Sequence, residues 1–266
     1  MATYQQFFGR FDLTAAMKDF SIVPSAGGAT SALALTAGYR YIRGYTSEST
    51  LQVCENMQER IRTIVANATV TFSDTLGLVV IDFLGTAYDI TWTDSALQTL
   101  LGFTGTQVGS STYTAQQQPR YVWRPTLGAS TYPLTLENGW LPRSTTRYVR
   151  SKDGTPSTVK GTDVYDAMIE YTALPQADVI RPSSGTVYRD LQTFWLDVAH
   201  EGLYLRYQPD RTAWATGNVY PCTFGVEDDD GDALGSFGEW SSRHVTSYNG
   251  LWDVSFRLWK CASEPT

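Results

Sequence analysis

From residue 119 onward, the sequence is a succession of short runs bounded by glycine, proline, aspartate or asparagine. The last run, "LWDVSFRLW", alternates between apolar and polar residues, which is typical of a strand with one buried face. Short runs of this kind, separated by turn residues, predict a β-sandwich-like domain. A helical pattern, "TVYRDLQTFWLDVAHEG", interrupts them once. The C-terminal part is therefore predicted to be β-rich with one helix.

Residues 36–118 have a different pattern, in which strands alternate with helices. An apolar stripe at three- and four-residue spacing predicts a helix over residues 49–66. A tyrosine-rich strand precedes this helix, and two strands around a turn follow it. The order of strand, helix, strands and short helix predicts a small α+β unit. The fold class of the whole chain is predicted to be α+β, mainly β.

The segment "ITWTDSALQTLLGF", residues 90–103, carries the most definite local signals. Thr93 or Asp94 can cap a short helix, because a side-chain oxygen there accepts hydrogen bonds from the first-turn N–H groups. Gly102 is predicted to end the helix in a left-handed conformation, with Phe103 folding back as in a Schellman motif. The segment has no acid/base pair, metal-ligand spacing or phosphate loop, so we predict a packing and assembly role. The residues assigned to that role are Trp92, Asp94, Leu97, Leu100, Leu101, Gly102 and Phe103.

Segments rich in glycine, serine and threonine divide the chain. Residues 1–35, which end in "SAGGATSALALTAG", predict an N-terminal arm or loop region. Residues 104–120 have no hydrophobic periodicity and predict a domain boundary. The predicted organisation is an arm (1–35), an α+β domain (36–118) and a β-rich domain (119–266). Polar segments such as the arm and 104–120 are expected to become ordered on assembly.

Charge and apolar patterning exclude several classes of protein. The net charge is −7 and the basic residues are scattered, so we expect no nucleic-acid binding. No apolar run reaches membrane-spanning length, and the N-terminus lacks the apolar core of a signal peptide. We therefore expect no membrane segment and synthesis in the cytoplasm. The three cysteines lack the spacing of a disulfide framework or zinc site.

The densest acidic cluster is "VEDDDGDALG", residues 226–235. Asp228, Asp230 and Asp232 have the alternate spacing that can direct carboxylates toward Ca²⁺. The rest of a calcium-binding loop does not match well. A solvated hairpin tip explains the same residues, so calcium stays an alternative. No other cofactor is predicted.

The sequence shows no catalytic set. The two histidines, His200 and His244, have no convergent partners in the sequence. His200 falls at the end of the predicted C-terminal helix, where a histidine favours the helix dipole. No nucleophile elbow or phosphate loop is present. We therefore predict that the chain is not an enzyme.

Aromatic residues make up 13% of the chain, whereas charged residues make up only 18%. That balance favours β-sheets and protein–protein contact surfaces. Exposed aromatics beside arginines can stack on sugars or form interfaces. Packing between strands is the alternative explanation for these aromatics. The candidate contact surface consists of Tyr204, Tyr207, Trp214 and Tyr220.

The middle third of the chain contains three distinctive segments, "ITWTDSALQTLLGFTG" (90–105), "TYTA" (112–115) and "WRP" (123–125). Together these segments resemble tailed-bacteriophage virion proteins. The resemblance implies a structural tail or distal-tail/baseplate protein that assembles with copies of itself and with neighbouring virion proteins into a symmetric ring. Localisation would be the virion, after synthesis in the host cytoplasm. The alternatives are a carbohydrate- or receptor-binding module of a phage tail, and a capsid or neck surface protein.

Overall fold

The computed structural model describes residues 6–43, 51–125, 141–143, 147–150, 156–159, 164–180, 190–202, 204–208, 220–224, 240–244 and 250–260. The fold is α+β and mainly β, with several sheets and few helices, as the sequence predicts.

The first 125 residues contribute eleven strands and two helices within the described ranges. In chain order these are β1 (Gln6–Gly9), β2 (Phe11–Leu13), β3 (Asp19–Pro24), β4 (Ser31–Ala34), β5 (Gly38–Arg40), α1 (Val53–Arg62), β6 (Thr69–Ser73), β7 (Leu78–Asp82), β8 (Tyr88–Trp92), α2 (Ser95–Leu100), β9 (Gln107–Ser110), β10 (Thr112–Thr114) and β11 (Val122–Trp123).

The remaining described elements are strands and two further helices. They are β12 (Leu141–Arg143), β13 (Arg147–Arg150), β14 (Pro156–Val159), β15 (Val164–Pro175), α3 (Gln176–Val179), α4 (Leu191–His200), β16 (Tyr204–Gln208), β17 (Tyr220–Phe224), β18 (Trp240–His244) and β19 (Leu251–Lys260). The single-turn helix α3 was not predicted. The predicted helix is α4, which begins at an Asp190 cap whose carboxylate accepts from the Thr193 N–H.

An antiparallel sheet of eight strands organises the molecule. Its order is β11-β1-β16-β17-β19-β15-β12, and β18 also pairs with β19. Helix α4 packs against β1, β11 and β16. Gly9 makes this packing possible, because a Cβ there would lie 2.3 Å from Val198 Cγ2 of the helix. A four-stranded sheet (β4-β3-β8-β9), a three-stranded sheet (β10-β7-β6) and two pairs (β2-β5, β13-β14) complete the described strands.

The structure corrects the predicted N-terminal arm, because residues 6–34 form four strands. Phe7 and Phe8 of β1 are both fully buried, as expected for a strand that is covered on both faces. Phe7 stacks on Tyr207 at 4.8 Å between ring centroids, and Phe8 meets Phe72 edge-on at 5.4 Å. The glycine and serine content of residues 25–31 marks the β3–β4 turn rather than a free arm.

The predicted boundary at residues 104–120 also contains regular structure. Strand β9 pairs with β8, and β10 pairs with β7, so this segment joins two sheets of the first half. Strand β1 lies between β11 and β16, so the main sheet takes strands from both sides of the predicted boundary. Short strands with polar outer faces lack a hydrophobic period, which is why the sequence did not reveal them.

Helix α1 is shorter than the predicted helix over 49–66. Its N-cap, Gln52, forms no side-chain hydrogen bond to the helix, and residues 49–50 lie outside the described residues. Cys54, Met57 and Ile61 face the core as the apolar stripe predicts, and Cys54 is a buried free thiol. Ile64, in contrast, lies beyond the end of the helix and is exposed.

Candidate functional site

The 90–103 segment folds as a capped two-turn unit. The Asp94 carboxylate accepts a hydrogen bond from the Ala96 N–H at 2.7 Å, so Asp94 and not Thr93 is the N-cap. Gly102 has φ +84°. Its N–H donates to the Thr99 carbonyl, and the Phe103 N–H donates to the Gln98 carbonyl, both at 3.0 Å. These two bonds are the pair that defines a Schellman motif.

The side chains of this unit are used for packing. The buried members are Leu97, Leu100, Leu101 and Phe103. The Trp92 ring stacks on Phe103 with 5.6 Å between centroids, and its indole N–H donates to Gln107 Oε1 at 2.6 Å. The structure thus brings together all seven residues of the predicted packing group. Their predicted role in assembly stays a prediction.

The residues of the candidate aromatic surface do not share one environment. Tyr207 is fully buried against Phe7, so it belongs to the core and not to a contact surface. This is a correction, and its cause is that β16 lies inside the main sheet between β1 and β17. Tyr204 is half-buried at the end of the same strand. Tyr220 pairs with Tyr207 across β16 and β17, and Trp214 lies outside the described residues.

The candidate calcium ligands, Asp228, Asp230 and Asp232, lie outside the described residues. Within the described ranges, no group of three or more His, Cys, Asp or Glu side chains could hold a metal ion. In the same ranges, no helix is long and apolar enough to cross a membrane.

A cleft of about 520 Å³ lies between β2, α2 and the end of α4, and the sequence did not predict it. Its apolar lining includes Met17 and Leu100, whereas Asp12, Arg120 and Glu201 supply charge. Hydroxyl groups complete it, from Thr14, Ser95, Thr99 and Tyr121. The cleft therefore combines an apolar surface with convergent polar groups, as ligand sites commonly do.

Glu201 links two walls of this cleft. One carboxylate oxygen accepts from the Asp12 backbone N–H at 3.3 Å, and the other accepts from the Tyr121 hydroxyl at 3.4 Å. Burial raises the pKa of Tyr121 to about 12; Arg120 opposes this shift and Glu201 adds to it. Tyr121 therefore remains a hydrogen-bond donor at neutral pH.

Arg120 is fixed by Asp197 of α4. Its Nε and Nη2 both donate to Asp197 Oδ1, at 3.0 and 2.6 Å. This hydrogen bonding raises the pKa of Arg120, although burial opposes the rise. The Arg120 charge is thus largely balanced by Asp197 before any ligand arrives.

A cation–π stack stands beside the cleft. The Arg10 guanidinium lies over two tyrosine rings, 4.2 Å from the Tyr39 centroid and 4.3 Å from the Tyr204 centroid. Tyr39 pairs with Asp12 across β2 and β5, so the two side chains share a face. Glu201 lies three residues before Tyr204. The stack and the cleft are therefore neighbours.

The sequence offered little that could reveal this site. Asp12 and Glu201 are separated by 189 positions and meet only because α4 and β16 fold back onto the N-terminal strands. Tyr204 was the one member that the aromatic pattern had suggested. Comparison with known protein families, curated proteins and solved structures finds no match.

Proposed function

We propose that the chain is a structural component of a tailed-bacteriophage virion, a tail or distal-tail/baseplate protein that assembles into a symmetric ring. The observation that carries this proposal concerns residues 90–105, where the sequence resembles phage tail proteins. Their side chains form a capped, buried packing unit. The residues that carry the resemblance are packing residues and not catalytic residues. This favours a shared structural unit of an assembly.

The described surface supports this proposal with two exposed apolar side chains, one of them on an edge strand. Strand β9 is an edge of the four-stranded sheet, and its Val108 is 62% exposed. Leu84, in the turn between β7 and β8, is 56% exposed. Unpaired edges and exposed apolar residues are hazards for a monomer, and contact with a neighbouring subunit removes both.

Leu84 is also held in an unfavourable backbone conformation. Its φ is +52°, and among the described non-glycine residues no other has a positive φ. A left-handed conformation costs an L-residue roughly 1–2 kcal/mol. An exposed leucine does not recover that cost by burial within the subunit. Contact with another subunit would supply the missing burial, which supports a role for this turn in assembly.

The test is particle composition together with the oligomeric state. Phage particles purified from the source of this chain should contain it in stoichiometric amounts. Negative-stain micrographs with a labelled chain should place it on a ring of the tail. The isolated chain should form a defined oligomer in light-scattering measurements. A chain that is monomeric at high concentration and missing from particles would contradict the proposal.

The contact surface is tested with Val108→Lys and Leu84→Asn. Both changes should shift the oligomer toward monomer without lowering the melting temperature, because neither side chain is buried in the subunit. Leu196→Gln is the matched control, since Leu196 is an exposed leucine on α4. If only the control changed the oligomeric state, the surface would lie on the α4 side instead.

A further inference from the structure

We propose that Asp12 and Glu201, which line the cleft, and Tyr39, the cross-strand neighbour of Asp12, form a binding site for a neutral saccharide. The site is a property of the isolated chain and does not depend on its membership of a virion. It differs from the aromatic surface predicted by sequence, since Tyr207 is in the core and Tyr39 was not part of that set.

Tyr39 supplies a rigid aromatic platform. The Arg10 guanidinium lies over the Tyr39 ring, and Arg10 itself is only 7% exposed and also lies over the Tyr204 ring. Tyr39 nevertheless remains 48% exposed. An exposed ring that is already immobilised loses little conformational entropy on binding. The apolar C–H face of a sugar ring can stack on such a surface.

The hydrogen-bond acceptors stand at the edge of this platform. Asp12 is the cross-strand neighbour of Tyr39, and Glu201 accepts from the Asp12 N–H. Neither carboxylate forms an ion pair within the described ranges. Sugar hydroxyls are donors that such carboxylates can accept, and Thr14 and Thr99 add hydroxyls further inside the cleft.

The nearby arginines are engaged elsewhere. Arg40 donates to three backbone carbonyls, those of Thr36, Ala37 and Tyr39. Arg120 is held by Asp197. Arg40 and Arg120 attract Asp12 and Glu201 through their charges, but within the described ranges neither arginine forms an ion pair with these carboxylates, so acceptor positions remain for a ligand.

A neutral ligand fits this platform better than a cationic one. The attraction of a ring for a cation comes from its electron-rich face, and Arg10 already lies against Tyr39. Arg10 across the ring would repel a second cation on the outer face and so oppose its attraction to Asp12 and Glu201. A sugar brings no charge and uses both the ring and the acceptors. The cleft volume of about 520 Å³ is within the range of small-ligand sites.

The test is a glycan array of neutral and acidic glycans, followed by titration calorimetry of the best neutral glycan. Tyr39→Ala and Asp12→Asn should each weaken binding by about tenfold or more, as expected when a stacking or charge-assisted contact is lost. Tyr39→Phe should retain binding, because it keeps the ring. Glu59→Gln, on the exposed side of α1, is the matched control for removing a surface carboxylate and should bind like the unchanged protein.

Three results would overturn the proposal. The first is an array on which no neutral glycan binds. The second is glycan binding that Tyr39→Ala and Asp12→Asn leave unchanged while both proteins stay folded by circular dichroism. The third is binding of an oligoarginine peptide, lost in Asp12→Asn and Glu201→Gln, with no sugar binding. That pattern would show a docking site for a basic protein segment instead.

Discussion

At the scale of single residues, Gly102 meets two independent constraints. Its φ of +84° is strained for any residue with a Cβ, and a Cβ at this position would lie 2.0 Å from the Gln117 carbonyl oxygen. The Gln117 N–H in turn donates to the Gly102 carbonyl at 3.0 Å. The residue that ends α2 is thus also the residue to which the 115–118 segment is hydrogen-bonded.

We expect Gly102→Ala to destabilise the fold much more than Gly105→Ala. Gly105 has a similar φ of +67°, but a Cβ at this position would point into open space, with nothing within 4 Å. Gly105→Ala, the control, should lower the free energy of unfolding by about 1 kcal/mol through backbone strain. Gly102→Ala adds a backbone clash of the kind that costs roughly 1–3 kcal/mol more. Urea unfolding of the two variants measures the difference. Equal losses of stability in the two variants would show that the positive φ alone explains why glycine occupies position 102.

Glu55 is a largely buried carboxylate in the first turn of α1. Burial raises its pKa from 4.5 to about 7. Its own backbone N–H and the charges of Arg43 and Arg206 oppose this shift, whereas Glu59 adds to it. Within the described residues, one of its carboxylate oxygens is buried without a hydrogen-bond partner, which agrees with a group that favours the protonated form.

This carboxylate should make the fold less stable as pH rises. Between pH 4.5 and about 7, folded Glu55 keeps a proton that the unfolded chain releases, so the free energy of unfolding falls across this window. The shift corresponds to roughly 3 kcal/mol. Glu55→Gln should remove this part of the pH dependence in urea-unfolding series. Glu59→Gln should keep it, with a slightly lower midpoint. A pH profile that Glu55→Gln leaves unchanged would contradict the assignment.

At the scale of elements, α2 shows what makes a very short helix persist. Six residues are too few for an isolated helix in water. Asp94 satisfies one N-terminal donor, the Schellman bonds satisfy two C-terminal carbonyls, and Leu97, Leu100 and Leu101 bury one side. The Arg120 N–H also donates to the Leu100 carbonyl at 2.9 Å. Capping hydrogen bonds and packing therefore stabilise a helix that is too short to be stable by itself.

Substitutions in α2 should therefore damage folding before any other property. Leu101→Ala should cost about 2–5 kcal/mol through the cavity it opens. Asp94→Ala should cost about 1 kcal/mol through the lost cap, and Thr93→Ala, its neighbour outside the cap, should cost little. Melting temperatures should fall in that order and, under the proposed function, so should incorporation into particles. If Leu101→Ala melted normally and lost only one activity, α2 would be a contact surface and not a packing unit.

Elements whose signals are local were predicted well from the sequence. The Asp94 cap and the Gly102 stop lie within a few residues of the helix that they bound, so their chemistry is visible in "TDSALQTLLGF". Strands such as β1 and β9 were missed because their identity depends on distant partners. Phe7 becomes central only when Tyr207 and Trp123 flank it. The Arg10 stack and the cleft needed the same long-range contacts.

At the scale of the whole molecule, the N-terminal strands connect regions that the sequence had separated. Strand β1 fills the place between β11 and β16 in the main sheet, β2 pairs with β5, and β3 pairs with β8. One buried core includes residues from Phe7 to Leu258. Removing the first 35 residues would therefore open three sheets together.

We expect a fragment of residues 36–118, the predicted α+β domain, to lack a fixed tertiary structure. Without β3, strand β8 keeps only β9 as a neighbour, and β5 loses its partner β2. Phe72 of β6 loses its edge contact with Phe8, which uncovers one apolar side chain of the β6–β7 hairpin. Isolated two- and three-stranded pieces with an uncovered apolar face are marginally stable at best.

The measurement is an amide NMR spectrum and a thermal melt of fragment 36–118 beside the full chain. The full chain should give dispersed signals and a cooperative transition, and the fragment should give collapsed signals and a broad melt. Fragment 6–125 is the informative control, because it restores β2 and β3 but still leaves β1 without β16. It should recover part of the dispersion. A sharp, cooperative melt of fragment 36–118 would instead establish it as an autonomous domain, with the N-terminal strands as an addition to a core that is complete without them.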